Sequence, residues 1–319
     1  MKTVNFLKNS LRPLKNIIYA GAGYIYDFYR FVRYSACTGY INDLQKTDFK
    51  AVKIYHRIEK SLSFRNRKRT SGISAHSDLQ SFLVKQENSK QETTYHVNIA
   101  KNVSKQFAEI SRQDFSHEIS EFKSDENKGG VLEVTSNSLN SGKLDDPEAF
   151  FLSRYSVRDF SKEQVPVDIV RRALKLAMKT PSVCNRHSWY VYHITSRELI
   201  DEYLQHQNGN KGFGHEIPSL LIIATDLKAF DTSSERYQHW IDGGMFAMSV
   251  VYAFHSLGLS SCCLNWSKNP GDDLKFKKKY SIKDSHSIIT MMAVGNANEK
   301  IKVCASERAP LDTIYELRN

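Results

Sequence analysis

Apolar positions follow two different rhythms along the chain. Up to about residue 110 they recur mostly every third or fourth position, and no proline falls between Pro13 and Pro147. That spacing predicts helices over 14–35, 45–62, 76–86 and 95–110, the last carrying Val97, Val103, Phe107 and Ile110. From Ser111 to Asp146 the chain is rich in Ser, Asn, Asp, Glu and Gly around the apolar island Val131–Val134. A linker with one short element is expected there. Beyond Pro147 the rhythm changes. Ile169, Val170, Ala173, Leu174 and Ala177 form a helix face opened by Pro166 and Asp168 and closed by Pro181. Trp189–Ile194, Ser219–Thr225 and Ser287–Val294 have the aromatic and β-branched content of strands. Asp242–Leu257 is apolar nearly all round, so that helix must be buried on most sides, and a subunit interface is a natural place for it. The elements do not alternate as βαβ units, and neither a GxGxxG nor a Walker A pattern occurs, which argues against Rossmann and P-loop folds. Three regions follow: a mainly helical 1–110, a polar 111–146, and a mixed 147–319.

Composition adds constraints. A chain of 319 residues with 40% hydrophobic and 25% charged positions is long enough for two ordinary domains. Its formal charge of +10 is densest between Lys50 and Thr70, where eight Lys or Arg face Glu59 alone. Such a stretch suits phosphate, nucleic acid or an anionic membrane; the plainer alternative is a solvated helix face. Nucleic acid is disfavoured because the sequence carries no recognisable recognition module. The five cysteines form neither a CxxC nor a Cys/His pattern, so no metal site is expected. They do not require an oxidising compartment either, which makes the cytoplasm the expected setting. Ile17–Tyr34 is rich in Tyr and Phe and flanked by Lys15, Arg30 and Arg33, the character of an interfacial helix rather than a span. It predicts contact with the inner face of a membrane or with an envelope-linked partner.

Three polar patches interrupt otherwise structural sequence. In Arg154-Tyr155-Ser156-Val157-Arg158, the residues Arg154, Ser156 and Arg158 share one parity, so an extended segment would turn all three towards an anion. Pro181-Ser182-Val183-Cys184-Asn185-Arg186-His187-Ser188-Trp189 is a hydroxyl, amide and imidazole loop feeding a strand. Gly258-Leu259-Ser260-Ser261-Cys262-Cys263-Leu264-Asn265-Trp266 follows the apolar helix, with Gly295–Glu299 and Arg308 further on. Each patch alone is equally compatible with a solvated turn.

Taken in this order, the patches resemble the FMN-dependent nitroreductase family, over about 170 residues. The matching motifs are Arg-x-Ser-x-Arg, Pro-Ser-x-x-Asn-x-x-x-Trp, the Gly-Leu-x-Ser-Cys that follows an apolar helix, and Gly-x-x-x-Glu with a later Arg. The resemblance implies an α+β fold, a dimer whose antiparallel sheets are flanked by helices, with each C-terminal tail wrapping the partner. It implies that Arg154, Ser156 and Arg308 hold the FMN phosphate, with Tyr155 beside them, and that Arg158 reaches the pyrimidine edge. Pro181, Ser182 and Asn185 would come from the other subunit, and Leu264-Asn265 would pass the central ring near N5. Hydride would pass from NADH or NADPH through N5 to an acceptor in a ping-pong cycle, with no catalytic side chain; His187 is the candidate substrate contact. Chemically, guanidinium forks suit phosphate oxygens, and a cation at the pyrimidine edge favours reduction.

The sequence departs from the family pattern in three places. His187-Ser188 stands where Gln-Pro is usual, Ser260 replaces a glycine, and only about 30 residues separate Trp189 from Ser219. These departures leave room for a second reading, a catalytically degenerate scaffold used as an interaction protein. Tyr55–Leu62 is similar to a segment upstream of reductase-like domains linked to bacterial cell-surface polysaccharide genes, which would place either version near polysaccharide synthesis.

Overall fold

The computed structural model describes residues 2–39, 43–89, 93–116 and 129–318. The first region is helical: α1 (Lys2–Tyr34), α2 (Leu44–Leu62), α3 (Ile73–Asn88) and α4 (Tyr95–Ser116). Helix α1 runs through Pro13 instead of starting after it. Helices α2 to α4 pack around Val52, Tyr55, Ile58, Leu79, Phe82, Val97, Val103 and Phe107, the three- and four-spaced positions. Asp43 caps α2, its carboxylate accepting from the Lys46 N–H. Of the polar stretch, residues 117–128 lie outside the described residues, and the island Val131–Val134 forms no strand. One short helix follows it, α5 (Ser136–Asn140), and α6 (Pro147–Leu152) leads into the second half.

The second half is an antiparallel four-stranded sheet in the order β1-β2-β4-β3. Its strands are β1 (Trp189–Ile194), β2 (Ser219–Asp226), β3 (Ser260–Asn265) and β4 (His286–Gly295). All of β2 is buried because both sheet faces are covered. Leu220 and Ile222 point to the side of α8 (Arg197–Leu204) and α10 (Pro270–Lys279). Leu221 and Ile223 point to α7 (Val167–Ala177) and α9 (Gln238–Ser256), one residue apart and on opposite faces. Trp189–Ile194 and the predicted α7 and α9 are found where the pattern places them, whereas β3, α8 and α10 are elements it does not mark. Gly295 ends β4 where a Cβ would lie 2.7 Å from both Phe160 and Pro218, so only glycine fits. No described helix is long and apolar enough to cross a membrane.

Polar contacts join the two halves. The buried Arg30 guanidinium donates to the carbonyls of Asp284 (3.1 Å) and His286 (2.6 Å). Tyr26 donates to Asp273 at 2.6 Å, beside the buried Asp273–Lys277 pair (2.6 Å). Burial, then the charge of Arg30, lowers the Lys277 pKa to about 8 against the opposing pull of Asp273. Phe31 and Phe230 flank His239, whose Nδ1 has no hydrogen-bond partner. Desolvation, then Arg30, brings the pKa of His239 down to about 3.

A depressed histidine pKa means the unfolded state takes up protons first as the pH falls. Stability contributed by His239 is therefore complete above the unfolded value near 6.5 and is lost progressively from there towards 3. The limiting slope is about 1.4 kcal/mol per pH unit for one proton. Urea midpoints measured between pH 7 and pH 4 should fall less steeply in His239→Gln than in the parent; equal slopes would place the acid sensitivity elsewhere.

Candidate functional site

The segment after α6 lies against the free edge of β3. Ser156 bridges Ser261 in parallel, and the Val157 N–H donates to the Ser261 carbonyl at 3.1 Å. Val157 and Phe160 are buried as anchors, and the Ser161 N–H donates to Asn296 O at 2.8 Å. The parity expected of Arg154, Ser156 and Arg158 follows from this: the backbone is extended and Val157 faces the core.

A groove of about 550 Å³ collects Arg154, Tyr155, Ser156 and Arg158 from this segment and Cys304–Arg308 from the C-terminal stretch. It holds three guanidiniums and one carboxylate, Glu307. Arg154 makes no hydrogen bond or ion pair with a described residue. Arg158 donates to the Cys304 sulfur at 3.6 Å, and Arg308 donates to its own neighbour's carbonyl at Ser306. Arg154 and Tyr155 also line an adjoining cavity of about 280 Å³ with His255 and Gly258–Ser261. His255 is held by Ser153 Oγ (3.0 Å) and Phe150 O (2.9 Å). Neither His255 nor Cys304 carried a sequence signal, since only the fold brings them to the arginines.

Further along β3, Leu264 is buried and Asn265 exposed. Strand alternation turns the backbone groups of Cys263 and Asn265 to the same open edge as the Ser261 carbonyl. The Asn265 carbonyl accepts from Gln207 Nε2, which leaves its N–H on that edge. Four residues of strand put it about 13 Å beyond Ser261.

The second polar patch lies elsewhere. Asp242, in the first turns of α9, accepts from the Val183 N–H (3.2 Å) and Gln238 Nε2 (2.8 Å), and its carbonyl accepts from Trp189 Nε1 (3.0 Å). Pro181 is exposed and Ser182 half-buried; Ser182 Oγ accepts from the His187 N–H at 3.1 Å. His187 Nε2 and Asn185 Oδ1 are 2.7 Å apart, and the His187 ring stacks on Trp189. Cys184, Asn185 and His187 all have positive φ (50°, 55° and 49°), a run of left-handed residues that only surrounding contacts can hold. Burial, then the charges of His96 and His56, pushes the His187 pKa down. The loop thus sits at the N-terminal end of α9, and the arginine groove at its C-terminal end beside His255. Thirteen residues of helix separate Asp242 from His255, about 20 Å. One chain therefore brings Arg154, Tyr155, Ser156, Arg158 and Arg308 together, and it does not bring Pro181, Ser182, Asn185 or His187 to them.

Among the described residues no group of His, Cys, Asp and Glu could hold a metal. The sequence profile of the Nitroreductase family matches residues 152–209, the stretch from the arginine segment through α8. Iodotyrosine dehalogenase 1 homolog from Caenorhabditis elegans is 23% identical over 193 residues, covering 51% of this chain and 58% of that protein. A relative from Methanothermobacter thermautotrophicus is 26% identical over 122 residues, covering 37% of this chain and 60% of its own. The chain thus spans less than two thirds of the curated relatives it matches. Among solved structures, an FMN-dependent nitroreductase from Clostridium difficile covers 54% of this chain and 99% of its own, at 17% identity and a TM-score of 0.46. A nitroreductase with bound FMN from Desulfitobacterium hafniense covers 55% of this chain and 100% of its own, at 18% identity and a TM-score of 0.42. The matched residues 152–209 thus include β1 and α8, and the helices that precede residue 147 lie outside the match.

Proposed function

We propose that residues 147–319 hold FMN and act as an NAD(P)H-dependent oxidoreductase. The observation that carries this is the convergence of Arg154, Ser156, Arg158 and Arg308 on one groove, with Arg154 making no ion pair among the described residues. A cluster of guanidiniums facing a single carboxylate is poorly compensated by itself and suits a phosphate dianion. When bound, FMN would supply hydride transfer between a nicotinamide and an acceptor. The chain's own residues bind and orient. Arg154, Ser156 and Arg308 offer donors to the phosphate, with Tyr155 beside them, Arg158 provides positive charge at the pyrimidine edge, and the Asn265 N–H faces the open edge of β3. No side chain here is required as acid or base, which leaves His187 as a substrate contact.

Two variants separate these roles. Arg154→Met should weaken FMN binding by about 2–4 kcal/mol, the loss of a charge-assisted partner to phosphate. Arg158→Met should bind nearly as well but lower the flavin potential, by roughly 30 mV for each 1.4 kcal/mol of differential stabilisation. Dissociation constants followed by absorbance near 450 nm, with midpoint potentials, check both. A colourless protein that takes up no added FMN would leave the interaction-protein reading instead.

A homodimer is part of this reading. Tyr237, Ile241, Met245 and Met248 form an exposed stripe down α9 at helical spacing, and the C-terminal stretch exposes Leu311, Ile314, Tyr315 and Leu317. Pairing across that stripe offers a way for Ser182 and Asn185 to reach a partner's arginine groove. Light scattering should report a dimer for the parent chain and a shift to monomer for Ile241→Glu, with loss of flavin; a flavin-bound monomeric parent would contradict it.

Helix α1 carries a separate feature. Leu14, Ile17, Ile18, Ile25 and Phe28 are exposed on it, with Lys15 and Arg33 nearby, while Tyr26, Arg30 and Phe31 face the body. This arrangement supports contact with an anionic membrane surface or an envelope-linked partner, with lysines near such a surface worth about 1 kcal/mol each. Intact protein should sediment with anionic vesicles at low salt, and Ile25→Glu with Phe28→Glu should abolish it; no sedimentation of the parent leaves only a protein partner.

A further inference from the structure

We infer that the cleft between α2 and the turn at 227–231 is a binding site for the diphosphate group of a small molecule. Its free cations belong to the N-terminal helices, outside the residues of the flavin reading, and its other wall is formed by Arg186 and the 227–231 turn of the C-terminal half. The cleft has a volume of about 170 Å³, and its lining includes Lys46, Lys50, Arg186 and Lys228 with Asp231 as the one carboxylate.

The charge balance points to a missing anion. Lys46 is only 7% exposed; its ammonium donates to Ser35 O at 3.1 Å and meets no described carboxylate. A buried ammonium satisfied by a single carbonyl keeps most of its desolvation cost. Lys50, one turn on, is exposed and has no ion-pair partner among the described residues. The acids nearby are already committed. Asp231 pairs with Lys53 at 2.5 Å and lies 3.7 Å from Arg186. Glu235 takes Arg186 at 2.5 Å, and Asp43 takes Lys228 at 2.5 Å. Two uncompensated ammonium groups therefore face one cleft whose other cations, Arg186 and Lys228, are already paired with carboxylates.

The geometry extends beyond one phosphate. Lys46, Lys50, Lys53 and Arg57 repeat at the spacing that places them on one face of α2. Lys50 and Asp231 also border a neighbouring cleft of about 380 Å³, which adds Lys53, Arg57 and Lys85. Arg57 is matched by Asp78 at 2.9 Å, but Lys85 has no ion-pair partner among the described residues. A first phosphate between Lys46 and Lys50 and a second towards Lys85 would use the free cations of both clefts. Lysines act as point-charge phosphate ligands, which fits a group whose oxygens point in several directions.

The test titrates the full chain with pyrophosphate by calorimetry at constant ionic strength. Saturable one-to-one binding is expected, with Lys50→Ala and Lys85→Ala each weakening it about tenfold or more and Lys175→Ala on α7 leaving it unchanged. Lys46→Met should lose binding and at the same time raise the Tm without pyrophosphate, because it removes a buried charge. FMN uptake should be the same in all these variants, which keeps failure here distinct from failure of the flavin site. Phosphatidic acid vesicles separate the sources: Lys50-dependent vesicle binding alongside pyrophosphate binding assigns the same site to a lipid headgroup, and its absence assigns a free ligand. The inference is overturned by no saturable heat at millimolar pyrophosphate, by Lys50→Ala and Lys85→Ala binding like the parent, or by vesicle retention without pyrophosphate binding.

Discussion

Helix α9 can lie close on the sheet because Gly243 has no side chain. A Cβ at that position would approach within 2.5 Å of Ile289 on β4. From this contact the rest of the C-terminal half takes its place. Phe246, Val250 and Phe254 fill the layer between helix and sheet, and Trp189 stacks on Phe246 with centroids 4.5 Å apart. Asp242, one residue before the glycine, gathers the strained 182–187 loop. His255, at the far end, holds the segment that leads into the arginine groove. A larger residue at 243 would lift the helix and loosen both polar patches together, although neither touches the glycine.

What the sequence made legible depended on how strongly an element is patterned. Strands β2 and β4 are apolar over their length because both sheet faces are covered, and α9 is apolar nearly all round although Ile241, Met245 and Met248 stay exposed in the single chain; all three stand out for that reason. Strand β3 does not, because Ser-Ser-Cys-Cys carries little β-branched or aromatic content and only Cys262, Leu264 and Ser261 are buried in it. Helices α8 and α10 are short and charged, so a single apolar edge was too little to mark them. Within the site, the common facing of Arg154, Ser156 and Arg158 is a local property of an extended backbone and could be read directly. The approach of Arg308 is a long-range property, expected only through the family resemblance, and that of Cys304 and His255 carried no signal at all. The separation of the two polar patches within one chain was implied by the resemblance, which draws Ser182 and Asn185 from the other subunit, but motif order says nothing about which end of α9 each one meets.

The join between the N-terminal helices and the sheet is largely polar. Arg30 serves backbone carbonyls, Tyr26 joins the Asp273–Lys277 pair, and Lys53 and Lys228 cross to Asp231 and Asp43. Lys53–Asp231 and Lys228–Asp43 are half-buried and add little net stability, whereas the buried Arg30 and the buried Asp273–Lys277 pair are strongly unfavourable if left without their partners. They therefore fix one docking geometry and penalise its neighbours. Phe31, Phe49 and Phe230 supply the apolar part of the seam. The 182–187 loop belongs to the same seam, for Arg186 and Val183 contact it from the sheet side. The loop's left-handed residues are thus held from two directions, by α9 below and by α2 above.

The length of α9 has an evolutionary consequence. Inserting one residue between Asp242 and His255 would advance everything beyond it by about 1.5 Å and rotate it by about 100°. Either Asp242 would leave its loop or His255 would leave Ser153, and no side-chain replacement could restore both. Side chains along this helix can be exchanged for others of like size and polarity, but changes in its length cannot be absorbed. Lineages descending from such a chain should therefore diverge in length in the polar region after α4 while keeping α9 at constant length, as a ruler between two anchorages.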